Sequence, residues 1–261
     1  DAQLVELPDL IVCHAGALPP CFEVGSGVRV VATSDPLQGA IEAFDEVAGH
    51  AARVFAEARA ARLLNRWAYD SDAHDALVDG FTWREMTAEE LLVLPRVIAL
   101  EPASALVGGR LARLLGVLRD ARPLHVMVEV QPARALHDDD LQVELGALAM
   151  ALDRPYVAQT KPARPEHFVA GARRALECAV PALFVVTTGF SEEGDEPEVG
   201  AWLAAGAAVD ARAHPLFRYD PSTRGTWAGR LDVEGNPQPE AVWPRYPQSD
   251  TADAPSFAFT L

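Results

Sequence analysis

Cysteine is scarce in this chain: among 261 residues there are three, Cys13, Cys21 and Cys178. The set is odd and contains no CxxC spacing, which argues against a disulfide framework and against a four-cysteine zinc or iron–sulfur site. A reducing cytoplasm is the expected compartment. Lysine is scarcer still, Lys161 being the only one, and isoleucine occurs only at positions 11, 41 and 98. With abundant alanine, this fits the codon bias of a GC-rich genome and gives the arginine excess no functional weight. No uninterrupted apolar run approaches the roughly 18 residues of a membrane span. The N-terminus lacks a basic segment followed by an apolar core. The chain opens on Asp1 rather than Met, as expected of a processed chain or a piece of something larger.

The 38 acidic residues outnumber the 22 basic ones, giving a formal charge of −16. A field of that sign repels phosphate backbones and anionic headgroups, and no local basic patch offsets it, so neither nucleic acid nor a membrane surface is expected as a partner. Hydrophobic residues make up 49% and charged residues 23%, which excludes wholesale disorder and leaves enough apolar side chains for a sizeable core. At roughly 100 to 200 residues per domain, one large domain or two small ones fit.

Short β-branched apolar runs recur at residues 10–13, 28–32, 96–100, 124–130, 156–160 and 182–188. Helical patterns separate most of them, the alternation of an α/β protein with a mostly parallel sheet covered by helices on both faces. The clearest helix begins at Ser34-Asp35-Pro36, a capping residue followed by a first-turn proline. Its apolar stripe is Leu37, Ile41, Phe44, Ala48, Ala51, Phe55 and Ala58. Continued to residue 65 it is roughly 40 Å long, either a core-covering helix or an arm that meets a partner. Residues 66–90 are polar and aromatic without clean periodicity and read as a connection. Further helices are expected near 104–120, 139–152, 165–178 and 198–211. This divides the chain into an N-terminal α/β segment (1–90), an α/β domain (91–213) and a Pro- and Gly-rich extension (214–261), with Phe217, Trp227 and Leu231 buried if that extension is a hairpin packed on its own domain.

Local motifs carry little chemistry. His137-Asp138-Asp139-Asp140 could ligate a divalent metal, but it stands where a helix should begin, and acidic side chains there cap backbone N–H groups without any ion. Gly25-Ser26-Gly27 follows no strand and opens no helix, so it is no dinucleotide fingerprint. Gly108-Gly109 lies in or beside a helix, with neither the further glycines nor the terminal Lys of a phosphate loop. There is no GxSxG and no HExxH. Cys13 and His14 are neighbours on a strand and so point to opposite faces, which disfavours a Cys–His dyad.

One longer stretch is more specific. Residues 140–160, with Glu144-Leu145-Gly146, Ala149-Met150 and Tyr156-Val157-Ala158-Gln159, resemble a helix and strand of the thiamine-diphosphate-binding domain of the pyruvate (2-oxoacid):ferredoxin/flavodoxin oxidoreductases. The resemblance continues through Phe168, Ala172 and Ala175 and the strand from Pro181, and into Arg212–Pro221 and Leu231–Pro237. It is good over residues 140–240, fair over 95–139 and absent before 90. It implies a thiamine-diphosphate-binding fold and oxidative decarboxylation of a 2-oxoacid with thiamine diphosphate and Mg²⁺. Electrons would pass to iron–sulfur clusters in partner domains or chains, and indirectly to ferredoxin or flavodoxin. By the same resemblance Glu101 falls where the family has a metal-binding Asp, Gln131 where it has an amide ligand to the metal and cofactor, and Gly108 and Gly109 beside the diphosphate. Pro102 replaces a family glycine and no Asn-Thr-Gly-Gly follows Gln131, so the cofactor motif is eroded. The expectation is therefore a domain or subunit of such an oxidoreductase, with a catalytically silent assembly domain as its alternative. An unrelated Rossmann-like enzyme, with another ligand at the strand ends, is a third.

Overall fold

A computed structural model describes residues 7–16, 25–130, 144–188, 198–210 and 214–237. The chain enters through β1 (Leu10–His14) and, after a turn, β2 (Val28–Ala32), which pair in parallel. Gly27 makes that turn at φ +93, and a Cβ there would stand 2.6 Å from the Asp9 carboxylate, so only glycine fits. Then come α1 (Pro36–Asn65), α2 (Ser71–Asp79), α3 (Ala88–Leu91) and β3 (Arg96–Pro102). After β3 the chain runs through α4 (Ala103–Ala105), a wide turn Leu106–Arg110 and α5 (Leu111–Arg119) to β4 (Leu124–Val130). It continues with α6 (Leu145–Met150), β5 (Tyr156–Thr160), α7 (Pro165–Leu176), β6 (Ala182–Thr187) and α8 (Glu198–Asp210). β7 (Phe217–Tyr219) and β8 (Leu231–Asp232) close it.

The strands form one eight-stranded sheet in the order β2-β1-β3-β4-β6-β5-β7-β8, parallel from β2 to β5 and antiparallel at β7 and β8. The fold is α/β, as the alternation of runs requires. β1 pairs directly with β3, so the sheet crosses position 90 without a break, and β7 joins residues beyond 213 to the same sheet through β5.

Register shows which face each helix covers. Cys13, Ala99, Val126, Leu183 and Val157 lie in one row across five strands. In the main core that row packs with Leu37, Phe44 and Val47 of α1, Leu114 and Leu118 of α5, and Ala149 of α6. The opposite face carries Tyr156, Ala158, Phe184 and Val186, packed against Phe168 and Ala172 of α7. Helices therefore cover both faces among the described residues. Central strands buried on both sides need no polar alternation, which is why β5 and β6 are buried at every position.

Three expectations need correction. Residues 66–90 are not mere connection: they form α2, a short turn of 3-10 helix at Trp83–Glu85 and α3. The helix expected over 104–120 is broken near its start, where Gly109 adopts φ 170 and opens the chain between α4 and α5. Trp227 is 52% exposed rather than buried, although Tyr219 beside it has no exposure. The expected helix near 139 is observed from Leu145, its earlier residues lying outside the described ones. α1 covers the core as far as Ala56, and its last two turns carry no buried side chain. No helix among the described residues is long and apolar enough to cross a membrane.

Candidate functional site

In an open parallel sheet, ligands bind outside the carboxyl ends of the strands, where the strand order reverses. Here the chain leaves β1 toward β2 on one side and leaves β3 toward β4 on the other, so the reversal falls between the ends of β1 and β3. Glu101, the expected metal ligand, stands there. Its side chain has no exposure, and both oxygens are engaged. Oε1 accepts from the Leu37 N–H at 3.0 Å, Oε2 accepts from Arg110 Nη1 at 2.8 Å, and the same Nη1 reaches Oε1 at 3.2 Å. Burial pushes the Glu101 carboxyl above its ordinary value, against the pull of Leu37 and Arg110.

Arg110 also donates to the Ser34 carbonyl at 2.7 Å and lies 3.9 Å from Asp35. Asp35 caps α1 by accepting from the Gln38 N–H at 3.1 Å and is ion-paired with Arg113. Although burial opposes it, the Gln38 bond and Arg113 hold this carboxylate below its usual range. Arg110 and Arg113 thus join the start of α5 to the start of α1.

A carboxylate committed to a guanidinium and a backbone N–H does not fit a resident Mg²⁺, which needs an open hard oxygen in octahedral array. Pro102, next along, offers no backbone donor to a diphosphate. Among the described residues no group of three His, Cys, Asp or Glu side chains is placed to hold a metal ion. Gly108 and Gly109 are exposed in the turn before Arg110, with open space where a Cβ would stand. They stand in the turn that leads from β3 to Arg110. Gln131 and the His137–Asp140 cluster lie outside the described residues. Cys13 faces α1 while His14 points to the other face, as strand alternation requires. Burial, offset by Arg29, raises the Cys13 thiol to about 11, so it is no nucleophile.

A second place at the carboxyl edge was not anticipated. Lys161, one residue past β5, has no exposure, and its Nζ has no hydrogen-bond partner among the described residues. Burial, reinforced by Arg164 and opposed by Asp210, lowers this amine to about 7. His214, which follows α8, is near enough to feel its charge. Its imidazole is lowered by burial and by Lys161, with Glu144 acting the other way. Gln159 fastens this region by donating to the Pro215 carbonyl at 2.8 Å, and Gly146 lets α6 approach, since a Cβ there would stand 2.7 Å from the Phe217 ring. The available signal was the lone lysine of an arginine-rich chain, placed directly after a buried strand.

Compared with known protein families and with curated proteins, the chain matches no family model and no curated protein.

Proposed function

We propose that this chain is a domain or subunit of a 2-oxoacid (pyruvate):ferredoxin oxidoreductase-like protein. In that proposal it has the thiamine-diphosphate-binding fold with a Pro- and Gly-rich C-terminal extension, works in the cytoplasm, and serves as a catalytically silent assembly domain. The likeness of residues 140–160 to that family supports the first part. One observation carries the second. Glu101, at the place of the family's metal-binding Asp, is spent on Arg110 and the start of α1. A residue that once could hold an ion then holds two helices to a strand, and folds commonly outlast the sites they carry.

The iron–sulfur clusters and any functional thiamine diphosphate belong, on this proposal, to partner domains or chains. Two measurements test it. Calorimetric titration with thiamine diphosphate and Mg²⁺ should give no saturable heat. One-to-one binding abolished by Glu101→Gln would restore the active enzyme as the better account. Tagged chain purified from its native host should bring with it chains bearing iron–sulfur cysteine motifs and an intact cofactor motif. A chain that purifies alone, or with none of that kind, would overturn the assignment.

A further inference from the structure

Among the described residues, Lys161 carries a fully buried amine with no hydrogen-bond partner. An ammonium buried without a hydrogen bond is costly, and the group lowers that cost by losing its proton. What remains is a neutral primary amine, an effective nucleophile, held at the carboxyl edge of a rigid sheet. Thr160 before it has no exposure, and the 161–164 turn is closed by the Arg164 N–H donating to the Lys161 carbonyl at 3.0 Å. The charged groups that act on it come from three elements. Arg164 and Asp210 form an ion pair at 2.7 Å between the start of α7 and the end of α8, and His214 follows α8. Glu144, before α6, acts on His214. Arg164 and His214 are half-buried and Asp210 and Glu144 are exposed.

We propose that Lys161 is a carbonyl-reactive amine that takes a small aldehyde or ketone as an imine, with His214 as the adjacent base. The nitrogen lone pair attacks the carbonyl carbon, a C–N bond forms, and the C=O π pair moves to oxygen. His214 takes the two nitrogen protons in turn and passes both to that oxygen, the first making a hydroxyl and the second letting it leave as water while the nitrogen pair closes the C=N bond. No oxidant or metal enters the balance. Apolar burial and a neighbouring cation are the two ways a lysine is activated for this chemistry, and both are present here. The site lies at β5, away from Glu101, and does not depend on the fate of the cofactor place.

Because Lys161 is the only lysine, every ε-amine adduct maps to it without ambiguity. The test is reductive alkylation of the full chain with glyoxylate and sodium cyanoborohydride at pH 7, folded and in urea, followed by peptide mass mapping. An ordinary lysine, with a pKa of about 10.4, is almost wholly protonated at that pH. Folded Lys161 should therefore be carboxymethylated at least tenfold faster than the same residue in unfolded chain. Equal rates, slower labelling or none would overturn the proposal. His214→Gln should reduce the folded rate and leave the unfolded rate unchanged. An unchanged folded rate in a variant with native circular dichroism would remove His214 from the reaction.

Discussion

Arg110 binds Glu101 across 2.8 Å, and the same guanidinium donates to the Ser34 carbonyl at 2.7 Å. One side chain thus ties the end of β3 to the entry of α1, two segments that the sequence separates by more than sixty residues. Among the described residues, the Glu101 carboxylate, without exposure, is satisfied through this contact and the Leu37 N–H.

Removing the cation should therefore cost more than removing the charge. Arg110→Met leaves a buried, uncompensated carboxylate and should destabilise by about 2–3 kcal/mol, below the range for a fully buried pair because Arg110 is 28% exposed. Glu101→Gln keeps an acceptor for Leu37 and should cost about 1 kcal/mol. Urea unfolding of both variants at pH 7 measures the difference, and equal losses would contradict this ranking.

What the sequence discloses follows burial. Strands covered on both faces must be apolar at nearly every position, so the runs at 124–130 and 156–160 coincide with β4 and β5. α1 is legible because Asp35 and Pro36 mark its start and a stripe of apolar residues marks its buried face. α2 buries nothing, so its sequence carries no stripe. The caps around it were readable locally, however: Thr82 with Glu85 and Thr87 with Glu90 both form capping boxes. Neither site was legible as a site. Glu101 looked like a metal ligand because nothing local indicates that Arg110 and Leu37 converge on it. Lys161 looked like a remnant of codon usage because no motif around it announces that the side chain is buried.

Trp67 offers a separate test of backbone strain. It follows the C-cap of α1 at φ 54, with the Trp67 N–H donating to the Leu64 carbonyl and the Ala68 N–H to the Leu63 carbonyl, a helix ending that favours glycine. The side chain is 97% exposed and packs on nothing that would be lost. Trp67→Gly should raise stability by about 1 kcal/mol, since the left-handed conformation costs about 1–2 kcal/mol in a residue with a Cβ. A lower melting temperature in calorimetry would show that the exposed indole contributes elsewhere.

His125 sits on β4 with 2% exposure, and its Nε2 has no partner. Burial, and to a lesser extent Arg96, lowers it to about 4. An unfolded chain binds its proton near pH 6.5, so between pH 6.5 and 4 the unfolded state holds one more proton than the native state. Stability should then fall as the pH drops through that window, by about 3 kcal/mol from this group. His167 and His214, also lowered, add to the slope with the same sign. His125→Leu should flatten the dependence of unfolding free energy on pH between 6.5 and 4. An unaltered slope would mean that His125 is protonated in the native state.

Lys161 gives the matching dependence on the alkaline side. Its folded value of about 7 lies far below the unfolded value, so above pH 7 the unfolded chain carries a proton that the native chain lacks. Stability should rise with pH from 7, at up to about 1.4 kcal/mol per unit for one proton, and fall again as the pH returns toward 7. The useful window closes near pH 8.5. Beyond it the buried thiols of Cys13 and Cys178 and the Tyr156 hydroxyl, all raised by burial, begin to ionise in the unfolded chain and oppose the trend. Lys161→Met keeps the apolar stem, removes the buried amine, and should abolish the rise between pH 7 and 8.5 while stabilising the chain at pH 7. If the variant instead lost stability and kept the slope, the native amine would have to be charged and paired at neutral pH, and it would be no nucleophile.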